Sequence, residues 1–190
     1  VIMLAQTHHE VRGYKRTAHA NSLQGVTTEW IGPQRVKQLC PIMNIEGPRY
    51  PVLGGLWQAR GGTARHDAVA WGYARACTDM GMDIIQKCEV TGIAQSGGKV
   101  TGVQTTQGDI ACGKLGLVTA GHSGVLAQMA GFRLPLESVA LQALVSEPVK
   151  PCMDVVVMAN TVHGYMSQSD KGEMVIGGGT DGYNNYTQRG

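Results

Sequence analysis

Several signals are missing from this sequence, and each absence narrows its function. Aromatic residues make up only 5% of the chain, with a single Phe, and no run of Lys or Arg interrupts a near-neutral net charge of +2. A nucleic-acid surface needs clustered basic residues with stacking rings, so that class of partner is not expected. No apolar run approaches the roughly 18 residues of a membrane-spanning helix, and none is expected. The opening "VIMLAQTHHEVRGYKR" lacks the short apolar core and small-residue cleavage site of a secretory leader. The five cysteines (Cys40, Cys77, Cys88, Cys112, Cys152) are odd in number and never spaced C-x-x-C. A reduced, cytoplasmic setting with buried thiols follows as the expectation. No two of the six histidines stand in H-x-x-x-H spacing, so no metal site is expected.

What is present fits a soluble globular chain of 190 residues with 43% hydrophobic content. It begins without Met in an apolar run and stops just after a strand-like stretch, which suggests an internal fragment. "VIMLAQ" reads as a strand, and "THHEVRGYKRTAHANSLQG" as a polar helix stopped by Gly25. "TTEWIGPQRVKQLCP" reads as a turn into a short helix bounded by Pro33 and Pro41. The Gly- and Pro-rich stretch 44–62 is expected to be loop and short strand. In "TARHDAVAWGYARACTDMG", Val69, Tyr73, Ala76 and Met80 form one apolar stripe at helical period, with Gly81 as the stop. "DIIQKCEVTGIAQ", "VTGVQTTQGDIACGKLGLVTAG", "LQALVSEPV", "VVVMAN", "HGYMSQ" and "EMVIGGG" read as strands, with "SGGK" and "DKG" as turns. "HSGVLAQMAGF" reads as a short helix between them. The order predicts a mixed α/β chain of two interleaved units, one α/β and one mainly sheet.

Four motifs bear on chemistry. "EMVIGGGTDG" holds a formal G-x-G-x-x-G at Gly177, Gly179 and Gly182, but the polar "YNNYTQRG" follows where a dinucleotide fingerprint needs a helix. A bend at a sheet edge is the expectation. In "GLVTAGHSG", an apolar strand running into Ala120–Gly121 lets backbone approach a flat ligand closely, because neither residue projects a bulky side chain. On its residues alone it is equally an ordinary strand-to-helix turn. His163 and Tyr165 alternate along "VHGYMS" and are expected to share one sheet face, lining a pocket or forming a satisfied core pair. Finally, Arg65–His66–Asp67 crowd the first turn of a helix, whose unpaired N–H groups and positive end suit an anion. A histidine there would be kept from protonation and would offer a nucleophilic nitrogen. The plain reading is a capped surface helix.

The stretches "VKQLCPIMNI", "RYPVLGGLWQARGGTARHDAVAWGYAR", "MDIIQKCEVTGI", "KVTGVQTTQG", "AGHSGVLAQMAGF", "LQALVSEPV" and "SDKGEMVIGGGTDGYNNYTQRG", in this order and spacing, resemble the β subunits of heterotetrameric sarcosine oxidases. Those subunits belong to the D-amino-acid-oxidase-like flavoproteins. The resemblance implies part of a Rossmann-type FAD-binding domain interleaved with a sheet-based substrate domain. The implied boundaries are 1–59 and 133–190 for the substrate domain and 60–132 for the FAD-binding part, with the N-terminal FAD fingerprint and the C-terminal region absent.

The same resemblance implies FAD, and FMN attached covalently to His66. Arg65 then stands beside the FMN where the family carries a lysine, and Ala68 stands where the family often has a second histidine. It implies Val90 and the Ala120–Gly121 turn at the FAD, and Tyr165 on the substrate side with His163 and Met158 as neighbours. The implied activity is oxidative demethylation of sarcosine to glycine, with hydrogen peroxide and a formaldehyde-level one-carbon unit. Partners would be the other subunits of the oxidase, a small secondary amine and oxygen. A related secondary-amine dehydrogenase acting on dimethylglycine or proline, and a non-catalytic interaction or scaffold segment, remain the alternatives. The fragment alone is expected to be inactive.

Overall fold

A computed structural model of the chain describes residues 1–136, 138–139 and 141–180. In order these form β1 (Ile2–Ala5), α1 (His8–Leu23), β2 (Glu29–Ile31), α2 (Pro33–Leu39), β3 (Gly54–Trp57), α3 (His66–Asp79), β4 (Val90–Ser96), β5 (Lys99–Thr105) and β6 (Ile110–Ala111). A 3-10 turn over Ala120–His122 leads into α4 (Ser123–Met129), followed by β7 (Leu141–Pro148) and β8 (Val157–Ala159). A second 3-10 turn over Asn160–Val162 precedes β9 (Gly164–Gln168) and β10 (Glu173–Thr180). The fold is mixed α/β. Among the described residues no helix is long and apolar enough to cross a membrane.

These elements form two compact units, residues 1–64 with 141–180 and residues 65–139 without the undescribed positions. The first is built on a seven-stranded sheet in the order β2-β3-β1-β8-β9-β10-β7. Only β1 and β8 run parallel; every other neighbouring pair is antiparallel. Alternation along β1 sends Ile2 and Leu4 to one face, where they pack with Ile31, Val36, Cys40, Val52, Met153 and Val157. Met3 and Ala5 face the other way, into a cluster with Leu56 and with Tyr14 and Ala18 of α1, which are one turn apart on that helix. Thr7 starts α1 through a reciprocal cap. Its hydroxyl accepts the Glu10 N–H at 3.2 Å, while the Glu10 carboxylate accepts the Thr7 N–H at 3.0 Å. Pro33 occupies the first turn of α2, where a missing N–H costs nothing.

The second unit holds the antiparallel sheet β4-β5-β6. Gly97 and Gly98 turn the β4–β5 hairpin, both at positive φ. The Gln95 side chain ties β4 to the end of α4 by donating to the Ala130 carbonyl at 2.9 Å. The buried apolar side chains here are Val103 and Ala127.

Four stretches depart from the sequence reading. "TTEWI", expected as a turn, contains β2, because Glu29–Ile31 pair with β3. The strand expected from Asp83 begins only at Val90. The apolar "GLVTAG" is irregular and leaves Val118 93% exposed, since no described strand pairs with it. The stripe of α3 forms as a helix but not as a core: Val69, Tyr73 and Met80 stay exposed, and the helix buries no residue. Periodicity predicts helix and face; burial also requires a partner surface.

Candidate functional site

In the first unit, Tyr165 of β9 sits opposite Met158 of β8 on one side and Gly177 of β10 on the other. Its ring occupies the space above Gly177, so a Cβ added there would fall among Cε1, Cζ and Oη of Tyr165. His163 lies beside β10 in the same way, with a Cβ at Gly179 coming within 3.0 Å of the His163 Cβ. The two side chains thus stand against glycines two positions apart on β10. His163 closes the 3-10 turn with φ +50°, a left-handed conformation uncommon for a non-glycine residue, and precedes β9. Gly177 and Gly179 of the formal glycine motif thus make room for rings on a strand; Gly182 lies outside the described residues.

Helix α1 fixes this corner. Glu10 Oε1 accepts the Thr161 hydroxyl at 2.9 Å, and the Tyr14 hydroxyl accepts the Asn160 amide at 3.2 Å. Burial disfavours the Glu10 charge, but donors from the Gln6 N–H, the Thr161 and Thr7 hydroxyls and the Thr7 N–H outweigh it and hold the carboxyl below its usual value. Burial, with Glu10 nearby, pushes the Tyr14 phenol up. On the far side of β9, the Gln168 side chain accepts from the N–H groups of Cys152 and Met153 and donates to the carbonyls of Val149, Lys150 and Gly172. It borders a cavity of about 360 Å³. Neither Glu10 nor Gln168 was found from sequence. For Glu10 a signal existed, the T-x-x-E spacing of a capping box; for Gln168 there was none.

In the second unit, His66 is the first residue of α3 and is exposed. Arg65 precedes it as the N-cap, making no side-chain cap, and its guanidinium lies 3.8 Å from the Asp67 carboxylate. The Asp67 carboxyl is held below its usual value, first by the Ala68 N–H and further by Arg65 and His66. Asp67 therefore satisfies part of the helix start itself, as a capping acid would. The imidazole of His66 is left open to a second group.

The same unit brings Val90 together with the residues that flank Ala120 and Gly121. Val90, Thr119, His122, Val125, Leu126 and Met129 line one concavity of about 510 Å³. Ala120 has φ +46°, and the Gly121 carbonyl accepts the Ser138 hydroxyl. An apolar hollow beside small-residue backbone fits a flat ring such as the adenine of FAD. Among the described residues no helix is opened by a G-x-G-x-x-G turn of the kind that cradles a pyrophosphate. The structure assigns Tyr165 and His163 to one unit, and His66, Arg65, Val90, Ala120 and Gly121 to the other.

Across residues 1–190 the chain matches the DAO family, FAD dependent oxidoreductase. It is 72% identical over 190 residues to sarcosine oxidase subunit beta of Rhodobacter capsulatus, covering the whole chain and 46% of that relative. Against sarcosine oxidase subunit beta of Arthrobacter sp the identity is 54% over 191 residues, covering 47% of the relative. L-proline dehydrogenase from P. horikoshii superposes with a TM-score of 0.83 at 26% identity, covering 96% of this chain and 48% of that one. The chain thus spans about half the length of the curated relatives it matches. With the mixed α/β fold, these matches establish that the chain belongs to the DAO family of FAD-dependent oxidoreductases.

Proposed function

We propose that this chain is part of the β subunit of a sarcosine oxidase, which oxidises N-methylglycine with oxygen and water to glycine, formaldehyde-level carbon and hydrogen peroxide. The observation that carries the reading is the 72% identity across all 190 residues to a subunit of that name. Bound flavins supply the two-electron oxidation and the reaction with oxygen. The residues of this chain hold and orient.

Val90 and the residues on either side of the Ala120–Gly121 turn, Thr119 and His122, border the hollow that receives the adenine end of FAD. His66 is the attachment point for FMN: it is exposed at a helix start whose amide-end charge and Arg65 both favour the flavin phosphate. Tyr165 and His163, seated on Gly177 and Gly179, form the substrate side, with Met158 as the apolar neighbour of Tyr165. Other subunits of the oxidase are the partners. The test is steady-state turnover of the assembled full-length enzyme with sarcosine, dimethylglycine and proline. Preference for sarcosine with stoichiometric peroxide supports the reading; preference for proline or dimethylglycine replaces it with the corresponding amine dehydrogenase, and no turnover of any amine leaves the scaffold role.

A further inference from the structure

We propose that Glu10 is a positioning residue for His163, acting through the Thr161 hydroxyl to hold the substrate-side corner in a backbone conformation that it would otherwise leave. The proposal rests on the reading of His163 and Tyr165 as the substrate side.

The argument begins with strain. His163 has φ +50°, and its Cβ stands close over Gly179. A side chain in the left-handed region persists only where its surroundings over-determine it, and such residues cluster at functional sites. One intraturn hydrogen bond, from the His163 N–H to the Asn160 carbonyl at 3.1 Å, does not fix the direction in which the turn leaves β8. Two bonds to α1 do. Thr161 donates to Glu10 at 2.9 Å, and Asn160 donates to Tyr14 at 3.2 Å, both spanning about 150 positions of sequence. Residues 160 and 161 are thus pinned immediately before His163.

The division of labour within Glu10 makes the device separable from folding. Its Oε2 serves the helix cap, receiving the Gln6 and Thr7 N–H groups and the Thr7 hydroxyl. Its Oε1 serves Thr161. A capping box needs only the first oxygen. The second reaches across to the turn and is spare to the helix. Removing the Thr161 hydroxyl therefore cuts the brace and spares the cap.

The experiment uses the assembled full-length enzyme with Thr161→Val, Thr161→Ser, His163→Ala and the Thr161→Val/His163→Ala pair. Two readouts are taken. The first is the rate of carbethoxylation of His163 by diethyl pyrocarbonate, followed by peptide mass. The second is kcat and KM with sarcosine. Thr161→Val is expected to speed modification of His163 at least threefold, leaving the other histidines unchanged, and to lower kcat/KM about tenfold. Thr161→Ser, which keeps the hydroxyl, restores both. In the pair, the loss equals that of His163→Ala alone, because the brace has nothing left to position. An unchanged His163 modification rate in Thr161→Val, or additive losses in the pair, overturns the proposal. If the wild-type enzyme does not oxidise sarcosine, the substrate reading fails while the modification rate still decides whether the brace holds His163.

Discussion

Gly177→Ala separates the fold from the site more cleanly than any other single change. The new Cβ would fall inside the Tyr165 ring, and the atoms it meets are Cε1, Cζ and Oη, the outer end of a side chain that is 39% exposed. The three nearest atoms all belong to that side chain. The ring must swing off β10 while the strand pairing of Gly177 with Tyr165 stays intact. The loss is one cross-strand aromatic contact, about 0.2–1 kcal/mol, with an off-rotamer side chain costing about 0.5–1.5 kcal/mol. The sum is about 1.5 kcal/mol, or a fall in Tm of about 3–6 °C for a domain of this size. Gly54 supplies the control. There φ is +145°, and a Cβ would lie 2.5 Å from the Ile31 carbonyl oxygen, so backbone must move. Gly54→Ala is expected to cost about 3 kcal/mol. In sarcosine turnover by the assembled enzyme, Gly177→Ala should lower kcat/KM about tenfold, equivalent to about 1.4 kcal/mol of transition-state binding. Full activity in Gly177→Ala would refute the placement of Tyr165 on the substrate side. A Tm loss as large as that of Gly54→Ala would refute the claim that the ring, and not the strand, gives way.

Other perturbations test the supports. Gln168→Leu removes five hydrogen bonds that hold the 149–153 segment and the β9–β10 turn, part of which water replaces. A loss of about 2–3 kcal/mol is expected in denaturant unfolding of the full-length protein; an unchanged midpoint would show that the segment holds itself. The Glu10 carboxyl is lowered in the folded chain, so its ionised form stabilises the fold above the usual carboxylate pKa, and that contribution disappears as pH falls through the lowered folded value. Stability of the wild type should therefore drop on acidification below the usual carboxylate range, and Glu10→Gln should flatten that part of the profile.

Much of this architecture was legible because local chemistry and global fold agree. Pro33, Gly81, the "SGGK" turn and the apolar alternation of β9 and β10 each signal their element. Three features escaped for physical reasons. The stripe Val69–Tyr73–Met80 and the run ending in Val118 are apolar without being buried, because pattern reports what a segment can cover and not whether the cover is there. Gly177 and Gly179 read in sequence as a bend at a sheet edge, and only the neighbouring strand reveals that their missing side chains make room for Tyr165 and His163. The Glu10–Thr161 bond joins positions 151 apart, a distance no local motif spans. At the helix start, residue physics favoured a capped surface turn for Arg65–His66–Asp67. Asp67 does act that way, and the imidazole between them is exposed.

The most direct measurement is the location of covalently bound flavin in the full-length protein. The assembled enzyme is denatured, flavin fluorescence is read on the separated subunits, and the labelled peptide is sequenced by mass. The account predicts a single flavin-bearing peptide that contains His66, with the signal abolished by His66→Ala and retained in Arg65→Ala. A colourless denatured subunit, or a flavin mapped to another residue, would contradict it.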